Sequence, residues 1–287
     1  MTSKPGYINV RGNLVDISVP RVMGIINVTP DSFYSGSRFI DEEEIITIAT
    51  EMMEDGADFL DVGGYSTRPG ADEVDYEEER SRLIGAVKVI SKELPEAIIS
   101  VDTFRSEIAR EAILEYGAGM INDISGGEAD PKMFQTVSKL AVPYILMHMQ
   151  GVPGNMQKNP VYNDVIADIL KWMGERIFKL QSAGVADIII DPGFGFGKTA
   201  DHNFEILKRL GEFSVAGLPL LVGVSRKSMI WRTLEITPED ALTGTTVLNA
   251  VALMNGADIL RVHDVKEAVE TVKLIERLRE RKENYGY

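Results

Sequence analysis

The sequence contains no cysteine and only three histidines. Without cysteine there is no disulfide framework, no thiolate catalysis and no zinc–thiolate site, which suits a cytoplasmic protein. Three histidines are too few for a dinuclear metal hydrolase, which needs several convergent imidazole ligands. No apolar run approaches the roughly 20 residues that a membrane-spanning helix requires, and residues 1–8 lack the apolar stretch of a signal peptide. The sequence therefore predicts a protein with no membrane partner.

Acidic residues outnumber basic residues in the chain. The chain carries 30 Lys and Arg against 44 Asp and Glu, a formal net charge of −14. A surface this acidic argues against nucleic acid or an anionic membrane as the main partner. Any anionic ligand must instead be held by a local cluster of basic side chains, backbone amides or a metal ion.

Eight short apolar segments alternate with amphipathic helical segments along the 287 residues, and no linker or compositional seam separates them. We place the strands at residues 22–28, 59–62, 98–101, 120–121, 143–147, 188–190, 220–222 and 259–260. A length near ~250 residues is typical of a (β/α)8 TIM barrel, and polar residues follow all eight strands, as that fold requires. We therefore predict a single α/β barrel domain over residues 1–287, with the doubly wound open sheet as the alternative.

Two shorter patterns complete the predicted fold. Residues 7–19 form two alternating runs about Gly12–Asn13 and predict a β-hairpin that closes the bottom of the barrel. Thr237–Pro238 predicts the start of a helix that runs to about Asn255, because proline is favoured at the first helical position.

The candidate site is the set of polar residues at the strand ends. In a barrel they converge on one face, where active sites lie. Taken singly, an Asp after a strand is more often a cap or turn residue, and a His is more often a satisfied core residue. Recurrence after all eight strands favours a site, although Asp61, Asp123 and Asp264 could simply brace neighbouring loops. The set comprises Asn27, Asp61, Asp102, Asn122, His148, Asp191, Lys227, Arg261 and His263.

Residues 193–199, GFGFGKT, are rich in glycine but do not form a phosphate loop. The P-loop pattern needs a glycine where Pro192 stands, and a dinucleotide fingerprint needs one where Lys198 stands. We interpret this segment as a flexible rim that holds Phe196 near a flat ligand.

The chemistry of the strand-end residues suggests a class of ligand. Asp102, Asn122 and Asp191 offer acceptors to the donor-rich edge of a 2-amino-4-oxo heterocycle. Basic side chains, together with a hard cation such as Mg²⁺ on Asn27, suit phosphate or pyrophosphate. Those basic side chains are Arg68, Arg261 and His263. Both a purine nucleotide and a pterin pyrophosphate satisfy this composition.

Seven motifs, in order, resemble the dihydropteroate synthase family. They are NVTPDSF (27–33), STRPGA (66–71), SVDTF (100–104), INDISGG (121–127), DPGFGFGKT (191–199), SRKS (225–228) and RVHDV (261–265). The glycine-rich motifs are individually weak, whereas NVTPDSF, STRPG and SRKS together are highly specific. The resemblance extends from about residue 7 to about residue 280. It implies Mg²⁺-assisted condensation of 6-hydroxymethyl-7,8-dihydropterin pyrophosphate with 4-aminobenzoate in folate biosynthesis.

The resemblance also implies roles for individual residues. The expected catalytic set is Asn27, Arg68, Asp102, Asp191, Lys227, Arg261 and His263. The pterin would be held by Asp102, Asn122, Asp191, Lys227, Met147 and Phe196. Pyrophosphate would be held by Asn27, which carries the metal, and by Arg68, Arg261 and His263. The aminobenzoate site would consist of Phe33, Thr67, Arg68, Pro69, Phe196 and Ser228.

Two positions depart from the pattern of the family. Ser35 stands where an Asp is usual in the loop after NVTPDSF, and Tyr65 stands where a Glu usually precedes STRPG. Each departure removes a charged group. A pterin-binding barrel of the methyltransferase type and a non-catalytic pterin-binding protein are therefore retained as alternatives. The resemblance further implies a homodimer that pairs through the late helices, although residues 246–254 could equally be plain barrel packing.

Overall fold

The computed structural model describes residues 4–29, 42–65, 74–151, 156 and 160–279. Its strands are β1 Tyr7–Val10, β2 Asn13–Asp16, β3 Arg21–Asn27, β4 Phe59–Gly63, β5 Ile99–Asp102, β6 Met120–Asp123, β7 Tyr144–Met147, β8 Ile188–Asp191, β9 Leu221–Val222 and β10 Ile259–Val262. Its α-helices are α1 Glu42–Glu54, α2 Tyr76–Glu93, α3 Ser106–Tyr116, α4 Met133–Leu140, α5 Val165–Ser182, α6 Ala200–Lys208, α7 Ser228–Leu234, α8 Leu242–Met254 and α9 Val265–Arg279, and a 3₁₀ helix spans Leu210–Ala216. Within these ranges, no helix combines the length and the apolar character needed to cross a bilayer.

Strands β3 to β10 form one parallel sheet in the order β8-β7-β6-β5-β4-β3-β10-β9. The two ends of this sheet meet, because Ile190 on β8 forms a parallel bridge with Leu220 just before β9. The backbone N–H of Ile190 also donates to the carbonyl of Pro219 at 2.9 Å. The sheet is thus a nearly closed barrel with helices between its strands. The predicted (β/α)8 fold is confirmed over the open-sheet alternative.

Alternation along each strand divides the apolar residues into two cores. On β4, Leu60 and Val62 pack outward against the helices, whereas Phe59 points into the barrel. Asp61, two residues after Phe59, shares its inward face. The lower part of the interior is an apolar layer made of Met23, Phe59, Met120, Ile145, Ile189, Leu221 and Ile259.

The N-terminal hairpin of β1 and β2 closes the barrel beneath this layer, as predicted. Ile8, Val10 and Ile17 are buried against it. The two-residue turn is Arg11–Gly12, one position earlier than the sequence suggested, and both residues are left-handed with φ of 52° and 83°. Arg11 is held there because its guanidinium donates to the carbonyl of Gly117 at 2.6 Å.

Two carboxylates fix the strands at the same end of the barrel. Asp58 accepts the backbone N–H of Val22 at 2.8 Å. Asp258 accepts that of Leu220 at 2.7 Å. Each carboxylate therefore joins the start of its own strand to the neighbouring strand and fixes their relative register.

The late helices differ from the prediction in two places. Thr237–Pro238 opens a turn rather than a helix, since the backbone N–H groups of Asp240 and Ala241 donate to the carbonyls of Thr237 and Pro238, three residues back, at 3.2 and 3.3 Å. Helix α8 begins at Leu242, four residues further on than predicted. Helix α7, of seven residues, was not predicted, since two turns are too short to show helical periodicity.

The hairpin's contribution to stability is testable through one buried side chain. We expect Ile8→Ala to lower the free energy of unfolding by about 2–5 kcal/mol, the range for truncating a buried isoleucine. Urea denaturation measures the change. Leu14→Ala on β2 is the matched control, because Leu14 is 72% exposed and its loss should change stability by less than about 0.5 kcal/mol. Equal effects of the two substitutions would contradict the assignment of the hairpin as a plug.

Candidate active site

The barrel interior becomes polar at the carboxyl ends of the strands, directly above the apolar layer. Asp102 on β5 lies in register with Asn122 on β6. Asp191 on β8 lies in register with Met147 on β7. Arg261 on β10 completes this group from the other side of the barrel. Four of the strand-end residues predicted to converge, Asp102, Asn122, Asp191 and Arg261, therefore lie at the same end of the barrel.

Arg261 is the centre of the polar layer. Its Nε donates to Asp61 Oδ2 at 2.6 Å, and its Nη2 donates to Asp102 Oδ2 at 2.7 Å. Burial raises the pKa of Asp102 to about 7, although the guanidinium of Arg261 opposes that shift. A carboxyl group that titrates near neutrality can change its charge when a ligand enters.

Asn122 shares the same carboxylate. Its Nδ2 donates to Asp61 Oδ2 at 2.9 Å. Asn122 Oδ1 and Asp61 Oδ1 are both buried and lack a hydrogen-bond partner among the described residues. Buried acceptors without partners are costly, so Asn122 Oδ1 favours the entry of a ligand that brings a donor.

Asp191 and Lys227 form the opposite wall. Asp191 Oδ1 accepts the backbone N–H of Gly193 at 2.7 Å, and burial raises the pKa of Asp191. Lys227 donates through Nζ to the carbonyl of Phe194. Burial lowers the pKa of Lys227 to about 8, although Asp191 opposes that shift. The ring of Phe196 lies beside this ammonium group, with its centroid 4.8 Å from Nζ.

The glycine-rich segment 193–199 is fastened by its own lysine. Lys198 is buried, and its Nζ donates to the carbonyls of Gly193 and Phe196, each at 2.9 Å. The same Nζ lies 3.0 Å from His148 Nδ1. Burial, together with the charge of Lys198, lowers the pKa of His148 to about 2, so its ring is neutral. His148 is thus a satisfied core residue. The segment holds Phe196 at the site as predicted, but as a loop anchored by hydrogen bonds rather than a flexible rim.

The SRKS segment is held in an unusual backbone conformation. Arg226 is left-handed, with φ of 53°. Its guanidinium forms two hydrogen bonds with the Asp264 carboxylate, at 3.0 and 2.6 Å. This pair orients the chain so that Lys227 and Ser228 follow at the start of α7. The bracing roles considered for Asp264 and Asp123 are confirmed, since Asp123 accepts from Ser125 and from the hydroxyl of Tyr144.

Asn27 is the last residue of β3, and His263 directly follows the neighbouring strand β10. The Ser225 hydroxyl lies 3.0 Å from His263 Nδ1 and also accepts the backbone N–H of His263 at 3.2 Å. Asn27 ends β3 and is half-buried. In the part of the chain that the structure describes, no three His, Asp or Glu side chains are placed to hold a metal ion. A single amide oxygen nevertheless fits Mg²⁺, which takes most of its ligands from water and phosphate.

Several predicted residues lie outside the described ranges. These are Phe33, Thr67, Arg68 and Pro69 of the aminobenzoate and pyrophosphate sets, and the divergent position Ser35. Tyr65, the other divergent position, is described. Its ring packs edge-on against Phe104 with the centroids 5.3 Å apart. An aromatic contact therefore exists where a charged group was expected.

Asp61 has a larger role than the sequence predicted. It was considered as a brace for a neighbouring loop, whereas it binds two site residues, Arg261 and Asn122. The alternation of residues along the strand indicates this role of Asp61. Asp61 follows Phe59 by two residues and so shares its inward face, where a charge must have partners.

Comparison with known proteins agrees with this geometry. Residues 23–263 match the sequence profile of the pterin binding enzyme family. The dihydropteroate synthase of Escherichia coli K12 is 45% identical over 279 residues, which cover 96% of this chain and 98% of that protein.

Solved structures show the same similarity. The Yersinia pestis dihydropteroate synthase in a sulfonamide drug complex superposes with a TM-score of 0.89 at 41% identity, covering 95% of this chain and 99% of that one. The Xanthomonas albilineans dihydropteroate synthase in complex with 7,8-dihydropteroate gives a TM-score of 0.85 at 36% identity, covering 95% and 98%. The chain therefore belongs to the dihydropteroate synthase family of pterin-binding enzymes.

Proposed function

We propose that this barrel joins 6-hydroxymethyl-7,8-dihydropterin pyrophosphate to 4-aminobenzoate, giving 7,8-dihydropteroate and pyrophosphate. This is a transferase reaction of folate biosynthesis. The observation that carries the proposal is the polar layer at the strand ends, which combines buried acceptors, the cations of Arg261 and Lys227, and the ring of Phe196. A relative with this fold binds 7,8-dihydropteroate, the product that the proposal names.

The heterocycle is recognised by complementary hydrogen bonds. The 2-amino group and ring N–H groups of a pterin are donors, and they meet the acceptors of Asn122, Asp191 and Asp102. Lys227 supplies a donor for the ring's acceptor atoms, and Met147 and Phe196 supply apolar contact. A buried site that pairs each polar atom in this way rejects analogues that leave one unpaired.

The basic residues at the mouth assist departure of pyrophosphate. Breaking the methylene C–O bond leaves a cation that is conjugated into the pterin, while negative charge moves onto the departing oxygen. Arg261 has further N–H groups beyond the two bonded to Asp61 and Asp102, and these can face the phosphates. If the Ser225 hydroxyl donates to His263 Nδ1, the neutral imidazole carries its proton on Nε2 and can donate it to phosphate. Arg68 is assigned to the pyrophosphate-binding residues because of its position in the STRPGA motif.

Asn27 is the residue proposed to hold Mg²⁺, together with the phosphates of the substrate. A divalent cation there would neutralise charge on the leaving pyrophosphate. Asp102 and Asp191 stabilise the pterin cation, and the neutral aniline nitrogen of 4-aminobenzoate attacks the methylene carbon. The nitrogen then loses its proton to solvent, and because that proton is acidic no strong base is needed. Phe33, Thr67, Pro69 and Ser228 are assigned to the aminobenzoate site with Phe196.

We further propose a cytoplasmic homodimer. Apolar side chains on the late helices are exposed to solvent: Val247, Val251 and Met254 on α8, and Leu274 and Leu278 on α9. Burying this face against a second copy would remove apolar surface from water. Sedimentation equilibrium measures the mass directly, and the mass of a single chain would contradict the dimer. The lack of cysteine supports the location.

The activity is tested by incubating the protein with the pterin pyrophosphate, 4-aminobenzoate and Mg²⁺ and following pyrophosphate release. We expect release that depends on 4-aminobenzoate and forms one 7,8-dihydropteroate for each pyrophosphate. Binding of the pterin without release would favour the non-catalytic alternative. Methyl transfer from a methylated tetrahydropterin would favour the methyltransferase alternative.

The low pKa of Lys227 predicts how pterin binding changes with pH. Burial lowers that pKa to about 8, so the ammonium is lost as the pH rises through this value. We expect the affinity of the wild-type protein for 6-hydroxymethylpterin to fall by up to about tenfold per pH unit above the pKa. Lys227→Arg should remove the part of this dependence that Lys227 causes, because a guanidinium stays protonated.

Fluorescence titration between pH 6.5 and 9.5 measures the dependence, and ionisation of the pterin itself affects both proteins equally. An alkaline decrease of the same steepness in Lys227→Arg would show that Lys227 is not its source.

A further inference from the structure

Asp61 is the most deeply placed charged group of the polar layer. It is fully buried, with 0% of its surface exposed. Its neighbours in register are Ile25 on β3 and Ser100 on β5, and it lies two residues below Gly63, the last residue of β4. The carboxylate therefore forms the floor of the site, beneath Asp102.

One oxygen of Asp61 serves two donors. Oδ2 accepts from Arg261 Nε at 2.6 Å and from Asn122 Nδ2 at 2.9 Å. A carboxylate paired with a guanidinium accepts hydrogen bonds and has none to donate. The amide of Asn122 must therefore present its NH₂ side to Asp61, because the reverse orientation would set two acceptor oxygens against each other.

The fixed orientation determines what Asn122 offers to a ligand. Oδ1 lies on the other side of the amide carbon from Nδ2 and so faces away from Asp61. It is buried and has no hydrogen-bond partner among the described residues. A free asparagine could turn either face of its amide to a ligand. Held by Asp61, Asn122 keeps its acceptor Oδ1 turned away from that carboxylate and offers it to a ligand.

We propose that Asp61 is a positioning residue that sets the hydrogen-bond polarity of the pterin site by holding Asn122 as an acceptor. This inference rests on the proposed pterin substrate, and it explains how the site selects a pterin over a ring that lacks the 2-amino group. A ring with an amino group at C2 brings a donor to Asn122 Oδ1, whereas a ring with an oxygen at C2 brings a second acceptor. Asp61 thus favours the 2-amino ring without touching it.

Arg261 strengthens the arrangement from the other side. Its guanidinium is held by Asp61 and Asp102 at once, so the Asp61 carboxylate cannot rotate toward the ligand without breaking that ion pair. The same contact keeps Oδ2 aimed at Asn122. The selectivity therefore depends on a carboxylate that is fixed on both sides.

The test compares 6-hydroxymethylpterin with 6-hydroxymethyl-lumazine, in which an oxygen replaces the 2-amino group and the adjacent N1 carries a hydrogen. Their dissociation constants are measured by calorimetry for the wild-type protein and for Asp61→Asn. In the variant an amide replaces the carboxylate, and Asn122 can present either face. We expect pterin to bind about tenfold more weakly and the ratio of the two affinities to fall by about tenfold, the effect of one unpaired buried hydrogen-bonding group.

Ser100→Ala is the matched control. Ser100 is buried beside Asp61 in register, and its Oγ has no hydrogen-bond partner within the described ranges. Its removal perturbs the same floor but leaves the amide of Asn122 fixed, so the affinity ratio should stay at the wild-type value. A purely structural role of Asp61 would weaken both ligands equally in Asp61→Asn and leave the ratio unchanged, which would overturn the proposal.

Asn122→Ala keeps the proposal testable if Asp61→Asn does not fold. It removes the group that Asp61 positions, and it should lower the affinity ratio by a similar factor. A wild-type ratio in Asn122→Ala would also overturn the proposal, because selectivity would then arise elsewhere. Failure of the wild-type protein to bind 6-hydroxymethylpterin at all would instead refute the proposed function.

Discussion

The buried guanidinium of Arg261 is the interaction on which the site depends. It extends from β10 past β3 to reach Asp61 on β4 and Asp102 on β5. Removing three charges from water is expensive, and the attraction between them offsets that cost only when the geometry is good. Asn122 shares one of the two carboxylates, and the pKa of the other is raised to about 7 by burial.

Beneath this cluster, stability and function occupy separate layers of the same barrel. The lower interior is apolar and is closed by the hairpin through Ile8, Val10 and Ile17. The upper interior is polar and retains acceptor atoms without partners in the described residues. Burial of the apolar layer stabilises the fold and so offsets the cost of these unpaired acceptors above it. Loops on the upper face are in turn held by internal pairs, such as Arg226 with Asp264 and Lys198 with its carbonyls.

The periodic features of the fold could be predicted from the sequence, because apolar strands and amphipathic helices repeat eight times. The convergence of Asp102, Asn122, Asp191, Lys227 and Arg261 also followed, since parallel strands end at one face. Features that depend on tertiary contacts could not be predicted from the sequence. The predicted start of α8 was wrong because residues 237–241 form a turn with backbone bonds between residues three apart, and the helix begins only at Leu242. Asp61 was undervalued because its partners are 61 and 200 residues away in sequence.

The most direct test of this account is a double-mutant cycle between Arg261 and Asp61, in which urea denaturation at pH 8 measures the free energy of unfolding of each variant. Arg261→Met leaves two buried carboxylates without their cation and should lower the free energy of unfolding by about 3–5 kcal/mol. Adding Asp61→Asn neutralises one of them and should restore at least about 1.5 kcal/mol. Losses that simply add in the double variant would contradict a polar layer organised by this ion cluster.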